Sequence, residues 1–182
     1  MKVFCTHSFK YELDENGVAI GDPGMTPEGK DAIRALKPKI SSLFPGGKPA
    51  HVVSATGERH TDIGDALEFN VDRHTAALGG PDSLVTIAGE KKIVLASRRV
   101  VPYGEDVYSS GVTPAGVEDE IRKAPDNTLF CVGRPTILFG FGLSKEQAKS
   151  GALFEIKEDE GGKITLVLIA DGVDLADGGE RV

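Results

Sequence analysis

Lys2-Val3-Phe4-Cys5-Thr6-His7 opens the chain, a short run of strand formers that ends on an imidazole. A run this short, apolar and turn-bounded reads as a strand buried on both faces, the kind found in parallel sheets. Two further runs repeat the pattern, His51–Ser54 and Thr128–Val132. Each is followed by a helix signal with a basic residue at its start. Ser54-Ala55-Thr56-Gly57-Glu58-Arg59 leads into a helix expected from Glu58 to about Phe69, and Gly133-Arg134-Pro135 leads into another. In open α/β sheets, ligands bind beyond the carboxyl ends of the strands, where strand order reverses. A His and an Arg (Arg59) delivered to those ends suit an anion.

Between these units, Thr26 caps a helix with Pro27 at its first position and Glu28 toward the positive end of the dipole. Ile33, Leu36, Ile40 and Leu43 recur at helical spacing, with Pro38 inside the pattern to kink or end the first segment. Phe44-Pro45-Gly46-Gly47 stops it. Val85–Ile87 and Ile93–Leu95 are expected to pair, or to form a strand and loop, through Gly89-Glu90-Lys91-Lys92. Thr113–Ala124 reads as a helix capped by Thr113, and Leu153–Lys157 with Ile164–Ile169 as a hairpin about Asp159-Glu160-Gly161-Gly162. Strand–helix units feeding one hydrophobic sheet imply a three-layer α/β/α sandwich with a mostly parallel central sheet and an antiparallel edge. One domain over 1–176 is expected, with a loose tail at 177–182. The Ser8–Gly24 segment is long and polar, the pattern of a binding loop or of a disordered one.

Composition narrows the function. Apolar residues make up 40% and charged residues 27% of the chain, ordinary for a globular protein. The net charge of −7 argues against a general nucleic-acid binder, which needs a broad basic face. No apolar run approaches the ~20 residues of a membrane helix, and no signal peptide is evident, so the expected compartment is the cytoplasm. Cys5 and Cys131 read as small buried hydrophobes. The four histidines have no ligand spacing and no zinc pattern occurs, so neither a metal nor another cofactor is expected.

Taken in order, the blocks Thr6-His7-Ser8, Met25-Thr26-Pro27-Glu28-Gly29, Ser54 to Arg59 running into Ile63-Gly64-Asp65-Ala66-Leu67, and Leu129 to Pro135 resemble the histidine phosphatase superfamily, in its phosphoglycerate-mutase-like branch. The resemblance implies the α/β/α fold of that branch and a phosphate or small phosphorylated molecule as ligand. It implies that His7 is the nucleophile that carries the phosphoryl group, and that Arg59 binds phosphate. Thr6 stands where the signature has Arg, Ser8 where it has Gly, and Arg134 where it has a late His, so all three are candidates for phosphate contact. Glu90 is the candidate proton donor, with Glu105 a poorer one.

Each has a plainer reading. His7 could be a satisfied strand-end histidine, Arg59 a helix-start pairing residue, Arg134 a surface charge and Glu90 an exposed hairpin residue. The loss of one cation at position 6 and the gain of another at 134 leave the site cationic while changing its geometry. Two functions from different classes follow: a slow phosphomonoesterase working through phospho-His7, or a pseudoenzyme that keeps the pocket for ligand binding or protein interaction. The oligomeric state is open; the C-terminal edge hairpin could pair between subunits.

Overall fold

Alternation along the first strand sets the layers of the computed structural model, which describes residues 1–6, 24–79, 83–94, 100–102, 112–144, 146–147, 149 and 151–171. His7, Ser8, the loop to Pro23, Leu95, Arg98, Arg99, Glu105 and the tail from 177 lie outside these residues. Strand β1 (Lys2–Thr6) leads to helices α1 (Pro27–Arg34) and α2 (Lys37–Ser41). Strand β2 (His51–Ser54), helix α3 (Glu58–Ala66) and strand β3 (Arg73–His74) follow. A small antiparallel sheet of β4 (Ser83–Ile87), β5 (Glu90–Val94) and β6 (Val100–Pro102) comes next. The chain then returns through α4 (Pro114–Lys123), β7 (Thr128–Val132), α5 (Arg134–Phe141), β8 (Leu153–Glu158) and β9 (Ile164–Ala170).

The main sheet has the order β3-β2-β7-β1-β8-β9. Its β3, β2, β7 and β1 are mutually parallel, while β8 and β9 add an antiparallel edge. Val3, Cys5, Val52, Leu129, Cys131 and Leu153 point to one face, where Ile33 of α1, Ile40 of α2 and Ile63 of α3 cover them. Phe4, Val53, Phe130, Val132 and Phe154 point to the other, against Val117 and Ile121 of α4 and Ile137 of α5. This is the period-2 alternation of strands buried on both sides. Phe4 and Phe130 pack across the β1–β7 pair with ring centroids 5.2 Å apart and planes tilted by 49°.

Local chemistry explains where elements stop. Thr26 accepts a bond from Gly29 N at 3.2 Å and Pro27 occupies the first helical turn, as the cap pattern predicts. Pro38 divides the long amphipathic stretch: it lacks an N–H, and α1 closes at Arg34 before α2 starts afresh. Helix α3 ends three residues earlier than the sequence pattern suggests. Glu68 adopts φ 60°, and Phe69 N bonds Gly64 O at 2.9 Å, a left-handed closure of the helix. The same Gly64 is needed for close packing, since a Cβ there would stand 2.8 Å from Val71 Cγ2.

The β4–β5 connection also differs from expectation. Ile87 pairs with Glu90, so the turn is Ala88-Gly89 and Glu90 already belongs to the strand. Both turn residues have positive φ, 51° and 81°, the two-residue geometry whose twist matches the flanking strands.

At the amino edge of the sheet, Asn127 ties three strands. Its N–H reaches Met1 O at 2.8 Å and its carbonyl accepts from Ala50 N and His51 N at 2.8 and 3.2 Å. Among the described residues, no helix is long and apolar enough to cross a membrane.

Candidate functional site

The carboxyl edge is assembled by register. Thr6 of β1 lies opposite Val132 of β7, and Ser54 of β2 lies opposite Cys131. The three strands therefore end within one residue of one another, with β7 in the middle. The chain leaves β2 toward α3 on one face and leaves β7 toward α5 on the other. That divergence is the topological feature that opens a crevice in doubly wound sheets.

Arg59 is the second residue of α3 and Arg134 the first of α5. Neither helix has a side-chain cap; Gly57 and Gly133 occupy the cap positions. Arg59 is half-buried, with its Nε out of solvent, and exposed Glu58 precedes it at the first helical position. Acidic Glu58 in the first turn lies toward the positive end of the α3 dipole, and Arg59 follows it in the chain. Two helix starts and two guanidinium-bearing residues thus follow adjacent strands.

Thr6 plays a structural part. It is fully buried, and its hydroxyl is within bonding distance of two carbonyls, Ala152 O at 3.0 Å and Lys149 O at 3.1 Å. Its N–H donates to Ala152 O, and its carbonyl accepts from Gly151 N. A hydroxyl has one proton, and here carbonyls take it, so Thr6 offers no donor to a phosphate in this arrangement. Thr6 is thus an anchor between β1 and the backbone of Lys149, Gly151 and Ala152.

Glu90 lies in the small sheet, exposed, with its carboxylate 3.3 Å from Lys92 Nζ. His7 and Ser8 directly follow Thr6 in the chain and lie outside the described residues.

Three residues carry more than their local pattern suggests. His60 is buried, because His60, Ile63, Gly64 and Leu67 fall on one helical face. That spacing was available in the sequence. Asp62 is buried too and accepts Met25 N at 2.8 Å, so it pins the start of α1 to α3 one turn beyond Arg59. His74 closes β3 opposite Ser54 and holds its Nε2 2.9 Å from Thr61 Oγ1.

Other features compete for attention and resolve differently. A cavity of about 550 Å³ is lined by His51, Asp72, Arg73 and Lys123 among others. It includes His51, at the start of β2, and its Arg73 and Lys123 already bond the buried Glu120 carboxylate at 2.7 and 3.0 Å. Burial pushes the Glu120 carboxyl up, but hydrogen bonds from Arg73, Lys123 and Thr75 outweigh it and hold the group below its ordinary range. This network clips α4 to β3. Cys5 and Cys131 face each other in register as free thiols. Burial pushes Cys5 up to about 12 and raises Cys131 well above its ordinary value, so both are inert. Among the described residues, no cluster of His, Cys, Asp or Glu could hold a metal ion.

No family model matches this chain, and no curated protein matches it in sequence. Solved structures do match. The protein of the open reading frame Rv3214 from Mycobacterium tuberculosis is 12% identical with a TM-score of 0.58, over 95% of this chain and 97% of that one. The mycobacterial glucosyl-3-phosphoglycerate phosphatase Rv2419c is 12% identical with a TM-score of 0.55, over 91% of this chain and 96% of that one. TTHB049 from Thermus thermophilus is 14% identical with a TM-score of 0.51, over 93% and 98%. These neighbours include histidine-phosphatase-fold proteins, and the chain shares their phosphoglycerate-mutase-like α/β/α architecture. At such identities the likeness is one of fold, and function rests on the site.

Proposed function

We propose that the carboxyl edge of β1, β2 and β7 binds a phosphate or phosphoester, and that the protein hydrolyses phosphomonoesters slowly through a phospho-His7 intermediate. The observation that supports this reading is that the three parallel strands end within one residue of one another. From them the chain continues into His7, into the Gly57–Arg59 helix start and into the Gly133–Arg134 helix start. Phosphoryl transfer depends mostly on positioning and on positive charge around the equatorial oxygens. Arg59, Arg134 and the first-turn amides of α3 and α5 supply that charge.

In this reading, an imidazole nitrogen of His7 forms a bond to phosphorus as the ester P–O bond breaks, and the leaving oxygen takes up a proton. Water then attacks phospho-His7, the P–N bond breaks, inorganic phosphate departs and the imidazole is restored. A cationic fork missing at position 6 slows the step; one lost transition-state donor typically costs about 10²- to 10³-fold.

A second reading, binding without turnover, draws on two observations. Thr6 gives its hydroxyl to carbonyls, and Glu90 stands exposed beside Lys92 in the small sheet. An aryl phosphate separates the two readings, because its leaving group departs without a strong general acid. Hydrolysis by the native protein that disappears in His7→Ala supports the phosphatase. Equal rates in both, together with phosphate binding that survives, support the binding module. Equal rates with no phosphate binding contradict both.

A further inference from the structure

Helices α3 and α5 cover opposite faces of the main sheet, so they do not pack on each other. Their starts, which carry Arg59 and Arg134, are joined instead through the residues that follow β3. Thr75 N bonds Ser54 O at 3.0 Å, and a short helical turn over Ala76–Leu78 comes next. Thr75 caps that turn by accepting from Ala77 N at 3.3 Å, and its hydroxyl donates to the buried Glu120 carboxylate at 2.9 Å. The turn is therefore tied to β2 and to α4.

The last two carbonyls of this segment serve different elements. Leu78 O accepts from the Thr136 hydroxyl at 2.6 Å, and Thr136 stands two residues after Arg134 in the first turns of α5. Gly79 O accepts from Thr56 N at 3.0 Å and from the Thr56 hydroxyl at 3.1 Å, and Thr56 stands three residues before Arg59. Thr136 and Leu78 are both buried, so their bond is made away from water, where loss of one partner is costly. Gly79 has φ 114° and ψ 164°, a backbone region open essentially to glycine alone. With that turn of the chain, successive carbonyls meet the approach to α3 and the first turns of α5.

We propose that the Leu78–Gly79 bridge sets the spacing of the two arginine-bearing helix starts, and that Thr136 and Thr56 are positioning residues for the anion they bind. The inference rests on the phosphate reading above and adds what holds the two halves of that site in register. An anion held from two sides is sensitive to such spacing, because a displacement of about 1 Å can cost about 10²-fold in function. Neither threonine touches the anion: each gives its hydroxyl proton to a carbonyl of the bridge.

Calorimetric titration of the full chain with inorganic phosphate, well below its melting temperature, tests this. Thr136→Val keeps the shape and loses the hydroxyl, and its dissociation constant is expected to rise about fivefold or more. Thr136→Ser restores the hydroxyl and is expected to bind as the native protein does. Thr56→Val keeps the N–H bond to Gly79 O and is expected to show a smaller rise, about twofold. Thr113→Ala sets the baseline, since it lowers stability and leaves the constant unchanged; a merely structural role for Thr136 and Thr56 would give the same result. Native affinity in either valine variant overturns the inference, and so does a loss in Thr136→Ser equal to that in Thr136→Val. A native protein that binds no phosphate is a different failure: it removes the phosphate reading, and this inference with it.

Discussion

Helices α1 and α4 begin in one way and α3 and α5 in another. Thr26 and Thr113 accept bonds from Gly29 N and Gly116 N at 3.2 and 3.1 Å, each followed by a proline in the first turn. Gly57 and Gly133 sit at the starts of α3 and α5 with no side-chain oxygen to offer. The first pair are devices of stability. The second pair follow β2 and β7 directly at the carboxyl edge, where an anion can complete what a cap would have done. Threonine starts the two helices that carry a side-chain cap, and glycine followed within two residues by arginine starts the other two.

Four substitutions sharpen this contrast. The largest effect is expected from His7→Ala, which should lower aryl phosphate hydrolysis by about 10³-fold or more, to background, because a nucleophile has no substitute. Arg59→Gln should weaken inorganic phosphate binding roughly 10- to 100-fold in a calorimetric titration, the value of a charge-assisted hydrogen bond. Glu120→Gln should leave phosphate affinity unchanged and lower unfolding free energy by about 1–3 kcal/mol near neutral pH. Its pH dependence has a definite sign. The folded carboxyl is held below its unfolded value, so its contribution is present above about pH 4.3 and is lost as pH falls through the folded value. Denaturant titrations of native and variant protein should therefore converge in acid. Thr113→Ala is the smallest, about 1 kcal/mol of stability with no change in phosphate affinity.

Much of this contrast was legible beforehand. Strands β1, β2 and β7 have the bounds their apolar runs imply, and the caps at Thr26 and Thr113 form as their residue types dictate. Strand β3 was not legible, because Arg73 and His74 have no apolar period; pairing with Val53 and Ser54 makes them a strand. The turn at Ala88-Gly89 was hidden because an alanine at φ 51° is a conformation imposed by strand twist, not by its own preference. The role of Thr6 depends on carbonyls nearly the whole chain away, at Lys149 and Ala152, which no local pattern announces. Arg59 was visible as a helix-start residue because a strand, a glycine and a basic residue occur within a few positions, whereas Arg134 was singled out through the family resemblance.

The most direct test of the central claim is a thermal-shift titration with inorganic phosphate on the native protein, Thr113→Ala and Arg59→Gln side by side. A ligand that binds only the folded state raises the melting temperature with concentration. The account predicts a rise of similar size in the native protein and Thr113→Ala, from different starting temperatures, and its loss in Arg59→Gln. An equal rise in all three, or none in the native protein, would contradict a phosphate site at the carboxyl edge.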